Sequence, residues 1–78
     1  MALADREFLT IGPVHDLVQN VVYGLPARMC WIHSTAALEI SEDASAWNAL
    51  TGANTVGAQV GAKFVRCPGG AAIVSLHA

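Results

Sequence analysis

The side chains in this sequence that could do chemistry are few: two cysteines, Cys30 and Cys67, and three histidines, His15, His33 and His77. A thiol nucleophile needs an imidazole within hydrogen-bond reach. Cys30 and His33 are separated by an odd number of positions, which in a strand sends the two side chains to opposite faces. Cys67 and His77 would have to meet across Pro68-Gly69-Gly70, and His77 overshoots the cysteine. Neither cysteine belongs to a C-x-x-C pair and the histidines are far apart, so the chain carries no structural-zinc spacing. A histidine ring assembled on a symmetry axis from several copies is the one metal arrangement left open. Gly52 and Gly57 have the spacing of a phosphate loop, but Ala58 and Gln59 follow where Lys and Ser or Thr are needed. The expectation is a protein that is not an enzyme and uses no cofactor and no metal.

What remains is binding, and the composition favours protein partners. Of the 78 residues, 54% are hydrophobic and 13% charged, with a mean hydropathy of +0.46. A chain of this size buries only roughly 60% of the surface that its unfolded form exposes, so small domains usually add a disulfide, a metal or a partner subunit. No apolar run approaches the roughly 20 residues of a membrane helix, which excludes a helical membrane span. Asp5, Arg6 and Glu7 come too early for a secretory signal, so synthesis in a reducing cytosol and two buried free thiols are expected. A net charge of -2 with Arg6, Arg28, Lys63 and Arg66 scattered among acids argues against nucleic acid, which needs clustered cations. Association is then the expected source of the missing stability.

The elements that must position these residues read as strands. Positions 1–13 form an N-terminal arm closed by Gly12-Pro13, and 14–78 form a single β domain. Phe8, Leu9 and Ile11 would be wasted on solvent, so the arm is expected to dock. "VHDLVQNVV" has helical spacing, but its valines favour a strand, placed over 17–23. In "ARMCWIHS", Met29, Trp31 and His33 alternate with Cys30, Ile32 and Ser34. Both faces are largely apolar, as in a strand at the middle of a sandwich or at a subunit contact. "ALEIS" and "AWNAL" pair about Glu42-Asp43-Ala44-Ser45, with Asp43 and Ser45 able to bond nearby amides. Gly52, Gly57 and Gly61 provide bends. "AKFVRC" and "AAIVSLHA" read as a closing hairpin about Pro68-Gly69-Gly70, and a chain ending on a strand is expected to need it in the sheet. Five or six short strands indicate an all-β fold, a small antiparallel β-sandwich or barrel.

"LEISEDASAWNAL", followed after a Gly-rich link by "AKFVRCPGGAAIVSL", resembles small structural proteins of tailed bacteriophages. In these a strand ending in a Ser-x-Asp-x-x-x-Trp turn precedes a closing F-[IV]-R-x-x-x-G-x-A-[IV]-[IV]-x-L segment. The matching positions are Ser41, Asp43 and Trp47, then Phe64, Val65, Arg66, Gly70, Ala72, Ile73, Val74 and Leu76. The likeness covers the second half of the chain, and Ala44 stands where Asp-Gly turns carry glycine.

The resemblance implies a virion structural protein: a capsid decoration, or cement, subunit that forms a homotrimer on an icosahedral phage head and binds the major capsid protein. It would be made in the host cytoplasm and reside on the capsid surface. The alternatives are a tail or neck component, or a small carbohydrate- or receptor-binding β module using Trp31 or Trp47 with Glu39, Asp43 and Asn48. The candidate partner-binding residues are Phe8, Leu9 and Ile11 of the arm and the aromatic anchors Trp31 and Trp47.

Overall fold

Short apolar runs broken by Gly, Pro and small polar residues fold into eight strands: β1 (Val14–Leu17), β2 (Tyr23–Gly24), β3 (Cys30–Ser34), β4 (Leu38–Ser41), β5 (Asn48–Leu50), β6 (Ala58–Val60), β7 (Phe64–Arg66) and β8 (Ala72–His77). The structure is a computed structural model and describes residues 8–26 and 28–78. Its strands form two four-stranded antiparallel sheets, ordered β1-β8-β3-β6 and β2-β7-β4-β5, as in a small β-sandwich. Among the described residues no helix is long and apolar enough to cross a membrane.

Alternation decides which side chains fill the space between the sheets. From the first sheet come Leu17, Cys30, Ile32, Val60, Val74 and Leu76; from the second come Tyr23, Leu38 and Val65, joined by Cys67 just beyond β7. Ile40 and Leu50 pack on this core from the margin. Apart from Tyr23 the buried set is aliphatic or small, so close fit rather than large aromatic area holds the sheets together.

The chain changes sheet at almost every connection, and only β4 and β5 are both consecutive and paired. Their register sets Leu38 opposite Leu50 and Ile40 opposite Asn48, which is the expected hairpin. The expected closing hairpin is not formed. β7 lies between β2 and β4 in one sheet, while β8 lies between β1 and β3 in the other. Pro68, which has no N–H to donate to a ladder, and Gly70 at φ 155° carry the chain across the sandwich instead. The alternation read for these strands holds: Val65, Cys67, Val74 and Leu76 are buried, and Ile73 is exposed.

The strand expected over 17–23 is also displaced. β1 ends at Leu17, and the chain then turns through Asn20, in the left-handed region at φ 63°, where asparagine is among the few non-glycine residues commonly found. The Val18 amide donates to the Tyr23 hydroxyl at 2.8 Å, and the Asn20 amide donates to the Cys67 carbonyl at 2.9 Å. These bonds fix a crossing from the first sheet to the second, so the valine run is divided between strand and turn.

Residues 1–7 of the expected arm lie outside the described residues. From Phe8 onward the arm is docked on its own domain. The Leu9 amide donates to the Gly24 carbonyl at 2.8 Å, and the Gly12 amide donates to the Leu76 carbonyl at 3.1 Å. Leu9 enters the core and Ile11 packs against it. Phe8 forms an isolated parallel bridge with Gly24 and remains exposed.

Candidate functional site

The outer face of the first sheet is built by the residues that alternate with the core. On β3, Cys30 and Ile32 point inward, so Trp31 and His33 point out. On β8, Val74 and Leu76 point inward, so Ile73, Ser75 and His77 point out. The register places Trp31 opposite His77 and His33 opposite Ser75. It also sets Val14 opposite Ser75 and Asp16 opposite Ile73. Large apolar side chains are open to solvent here: Val14 at 66%, Met29 at 56%, Ile73 at 50% and Trp31 at 46% of full exposure.

Two glycines shape this face. Gly57 and Gly61 flank β6, and a Cβ at either position would run into a side chain of the β3 segment, the His33 ring at Gly57 and the Met29 sulfur at Gly61. The missing methyls let these side chains lie down against the backbone rather than stand away from it. One face of β3 is therefore core and the other an exposed apolar and imidazole surface, so the strand is buried on a single face although both faces of its sequence are largely apolar.

Within this surface the His33 and His77 ring centres are 5.3 Å apart, with the planes crossing at 83°. Ser75 Oγ lies 3.2 Å from His77 Nε2, so serine and histidine at positions i and i+2 of one strand are in hydrogen-bond contact. His15 stands elsewhere, its Nε2 at 3.1 Å from both the backbone N and the backbone O of Thr10. Among the described residues no group of three or more His, Cys, Asp or Glu side chains is placed to hold a metal ion.

Both cysteines are buried and unbridged. Burial pushes the Cys30 thiol up, with Arg28 opposing more weakly, which disfavours the thiolate needed for nucleophilic attack. Cys67 donates to the Ala37 carbonyl at 3.4 Å. Cys30 and His33 lie on opposite faces of β3, as their spacing requires.

Trp47 belongs to the other side of the molecule. The Arg66 guanidinium covers its ring and pairs with Glu39 at 2.8 Å. Asp43 Oδ1 accepts from the Ser45 and Ala46 amides at 2.9 and 3.1 Å. Trp47, Glu39 and Asp43, three of the groups considered for sugar recognition, thus make contacts within the fold. Of the candidate partner-binding residues, Leu9 and Ile11 join this chain's own core, Phe8 and Trp47 go with the second sheet, and Trp31 lies on the outer face of the first; the five do not share one surface. Val14, Ile73, Ser75 and His77 were not singled out by the sequence for this face. The Ile73/Val74 alternation was a signal for them, but only the β1–β8 and β3–β8 registers put them on one face with Trp31.

At the Leu17 end of this face an open cleft of about 690 Å³ is lined by Asp16, Val18, Gln19, Thr35, Ala71 and Ile73 among others. It continues the apolar surface round the corner of the sandwich. No protein-family model, curated protein or solved structure matches the chain.

Proposed function

We propose that the chain is a structural subunit that works by association, copies joining through the outer face of the first sheet. The observation that carries this is the grouping of Val14, Trp31 and Ile73 on that face, half or more exposed or nearly so. Exposed apolar residues scattered singly are ordinary, whereas here Val14 and Ile73 are diagonal neighbours and Trp31 lies beyond Ser75 and His77 on the same face, and several such residues on one face mark an interaction surface. Trp31 is the anchor, because a partly open indole gains most when a second surface excludes its remaining water.

The sizes are compatible. A standard interface covers roughly 800 Å² per partner, about a fifth of the 4479 Å² that the chain exposes. The resemblance to tailed-phage structural proteins supports the more particular role: a homotrimeric decoration subunit that stabilises a phage head by binding the major capsid protein. The second-sheet side, with Phe8 and the Trp47 cluster, would then be left for the shell.

The test is the native mass of the purified chain over a dilution series, by sedimentation or light scattering. The wild type is expected to persist as a closed oligomer. Trp31→Glu and Ile73→Glu, both at exposed positions, are expected to give folded monomers with unchanged circular dichroism. A wild type that is monomeric at every concentration overturns the association, and an oligomer indifferent to both substitutions overturns its assignment to this face.

A further inference from the structure

We propose that His33 and His77 together form a bidentate site for a late divalent transition-metal cation of the Zn²⁺, Ni²⁺ and Cu²⁺ class. The inference concerns two residues of one copy on the face proposed for association, so a bound ion and a second copy would compete for it.

The spacing is the first support. A tetrahedral cation holds an imidazole nitrogen at about 2.0–2.1 Å, which sets each ring centre about 3.2 Å from the ion and two such centres about 5.2 Å apart. The His33 and His77 ring centres are 5.3 Å apart. The two rings meet in a T-shaped contact, their planes crossing at 83°, so each ring turns about its side-chain torsions to aim one nitrogen at a shared ion.

The scaffold is the second support. His33 and His77 stand on neighbouring strands at diagonal positions of one face, because Trp31 faces His77 and His33 faces Ser75. Backbone hydrogen bonds fix that diagonal, so little chain entropy remains to be lost on chelation. The His33 ring lies over Gly57, where a Cβ would collide with it, and the Ser75 hydroxyl engages His77 Nε2. A hydrogen bond to one ring nitrogen is the usual device that orients an imidazole and leaves the other nitrogen to the metal. Both rings are exposed, so an ion reaches them from solvent, and water fills its other positions.

The ligand set is the third. Neutral imidazole suits Zn²⁺, Ni²⁺ and Cu²⁺, and Cu²⁺ binds most tightly of the divalent series. Hard cations such as Mg²⁺ and Ca²⁺ require oxygen ligands and are not expected to bind.

The probe is Cu²⁺ added to the full chain at neutral pH, read by tryptophan fluorescence. Trp31 stands directly opposite His77, whereas Trp47 lies against Arg66 of the other sheet. A saturable quenching that reaches one ion per chain and disappears in Trp31→Phe is expected, and Zn²⁺ should reverse it by competition. His33→Gln and His77→Gln should each weaken binding by about tenfold or more, since loss of a ligand costs at least as much as loss of an outer-shell partner. His15→Gln should leave it unchanged. In the unaltered protein, Cu²⁺ should broaden the imidazole proton resonances of His33 and His77 before those of His15. Wild-type affinity in both His33→Gln and His77→Gln, or broadening that spares His33 and His77, overturns the site. Light scattering on the same samples reports association separately, so the two proposals can fail independently.

Discussion

The guanidinium carbon of Arg66 sits 4.3 Å from the centre of the Trp47 ring, so the cation that neutralises Glu39 also covers the indole. Arg66 and Glu39 face each other directly across β7 and β4. Arg66 Nε and Nη2 both lie 2.8 Å from Glu39 Oε1. The planar fork meets the carboxylate edge-on and leaves its flat side for the ring, a division of labour that an ammonium cannot copy. An exposed ion pair is worth about 0.2–1 kcal/mol, and an exposed cation–π contact about 0.5–1 kcal/mol. Arg66→Lys is therefore expected to lower unfolding free energy by about 1 kcal/mol and to shift Trp47 emission to the red, as read by urea unfolding in a Trp31→Phe background. Unchanged stability and emission would show that the stack contributes nothing.

Ala44 occupies the left-handed region at φ 62°, in the β4–β5 turn. For an L-residue with a Cβ this conformation costs roughly 1–2 kcal/mol, which glycine avoids. Glycine gives back about 0.4–1 kcal/mol through the freedom of the unfolded chain. Ala44→Gly is accordingly expected to stabilise the domain by about 0.5–1 kcal/mol, raising the melting temperature by a few degrees. Calorimetry showing a lower melting temperature would contradict the strain assigned to Ala44.

The same turn makes stability depend on pH. The Ser45 amide, then the Ala46 amide and the Ser41 hydroxyl, hold the Asp43 carboxyl below its ordinary range. A carboxyl with a lower pKa folded than unfolded contributes stability that is present above the unfolded value, about 3.9, and lost as pH falls through the folded value. Wild type should therefore exceed Asp43→Asn in stability at neutral pH, with the gap closing below about pH 4. Parallel denaturation curves at pH 7 and pH 3 measure this, and a gap that stays constant would remove the Asp43 charge from the account.

Local information in the sequence was enough for the β4–β5 hairpin, because Leu38, Ile40, Asp43 and Ser45 all act within one turn of chain. It was also enough for the in-and-out pattern of β3, β7 and β8. Pairing was another matter. Val14 meets Ser75 and Trp31 meets His77, contacts between distant parts of the chain that alternation alone cannot assign. The Pro68-Gly69-Gly70 segment carries the same residues whether it closes a hairpin or crosses the sandwich. The valines at 18, 21 and 22 satisfy strand propensity, yet Asn20 and the Tyr23 hydroxyl turn the chain there. The site shows the same division: the Trp31 and His33 face was readable from β3, whereas the arrival of His77 and Ile73 beside it depends on register.

Gly57 and Gly61 separate two roles that a glycine can have on this face. Gly57 has φ 94°, and a Cβ there would meet the His33 ring, while Gly61 lacks a positive φ and its Cβ would meet the sulfur of Met29. Met29 has an unbranched, flexible side chain able to swing aside. The His33 ring is stiffer, and the Gly57 backbone would be strained even with the ring removed. Gly57→Ala is expected to cost at least about 1 kcal/mol more than Gly61→Ala, from the left-handed penalty alone. It should also separate His33 from His77, moving the His33 ring resonances, whereas Gly61→Ala should leave them in place. Denaturant unfolding of the two variants beside proton spectra of the histidines makes the comparison. Equal costs and undisturbed His33 resonances in both would mean that Gly57 neither carries the backbone strain argued for it nor seats the ring.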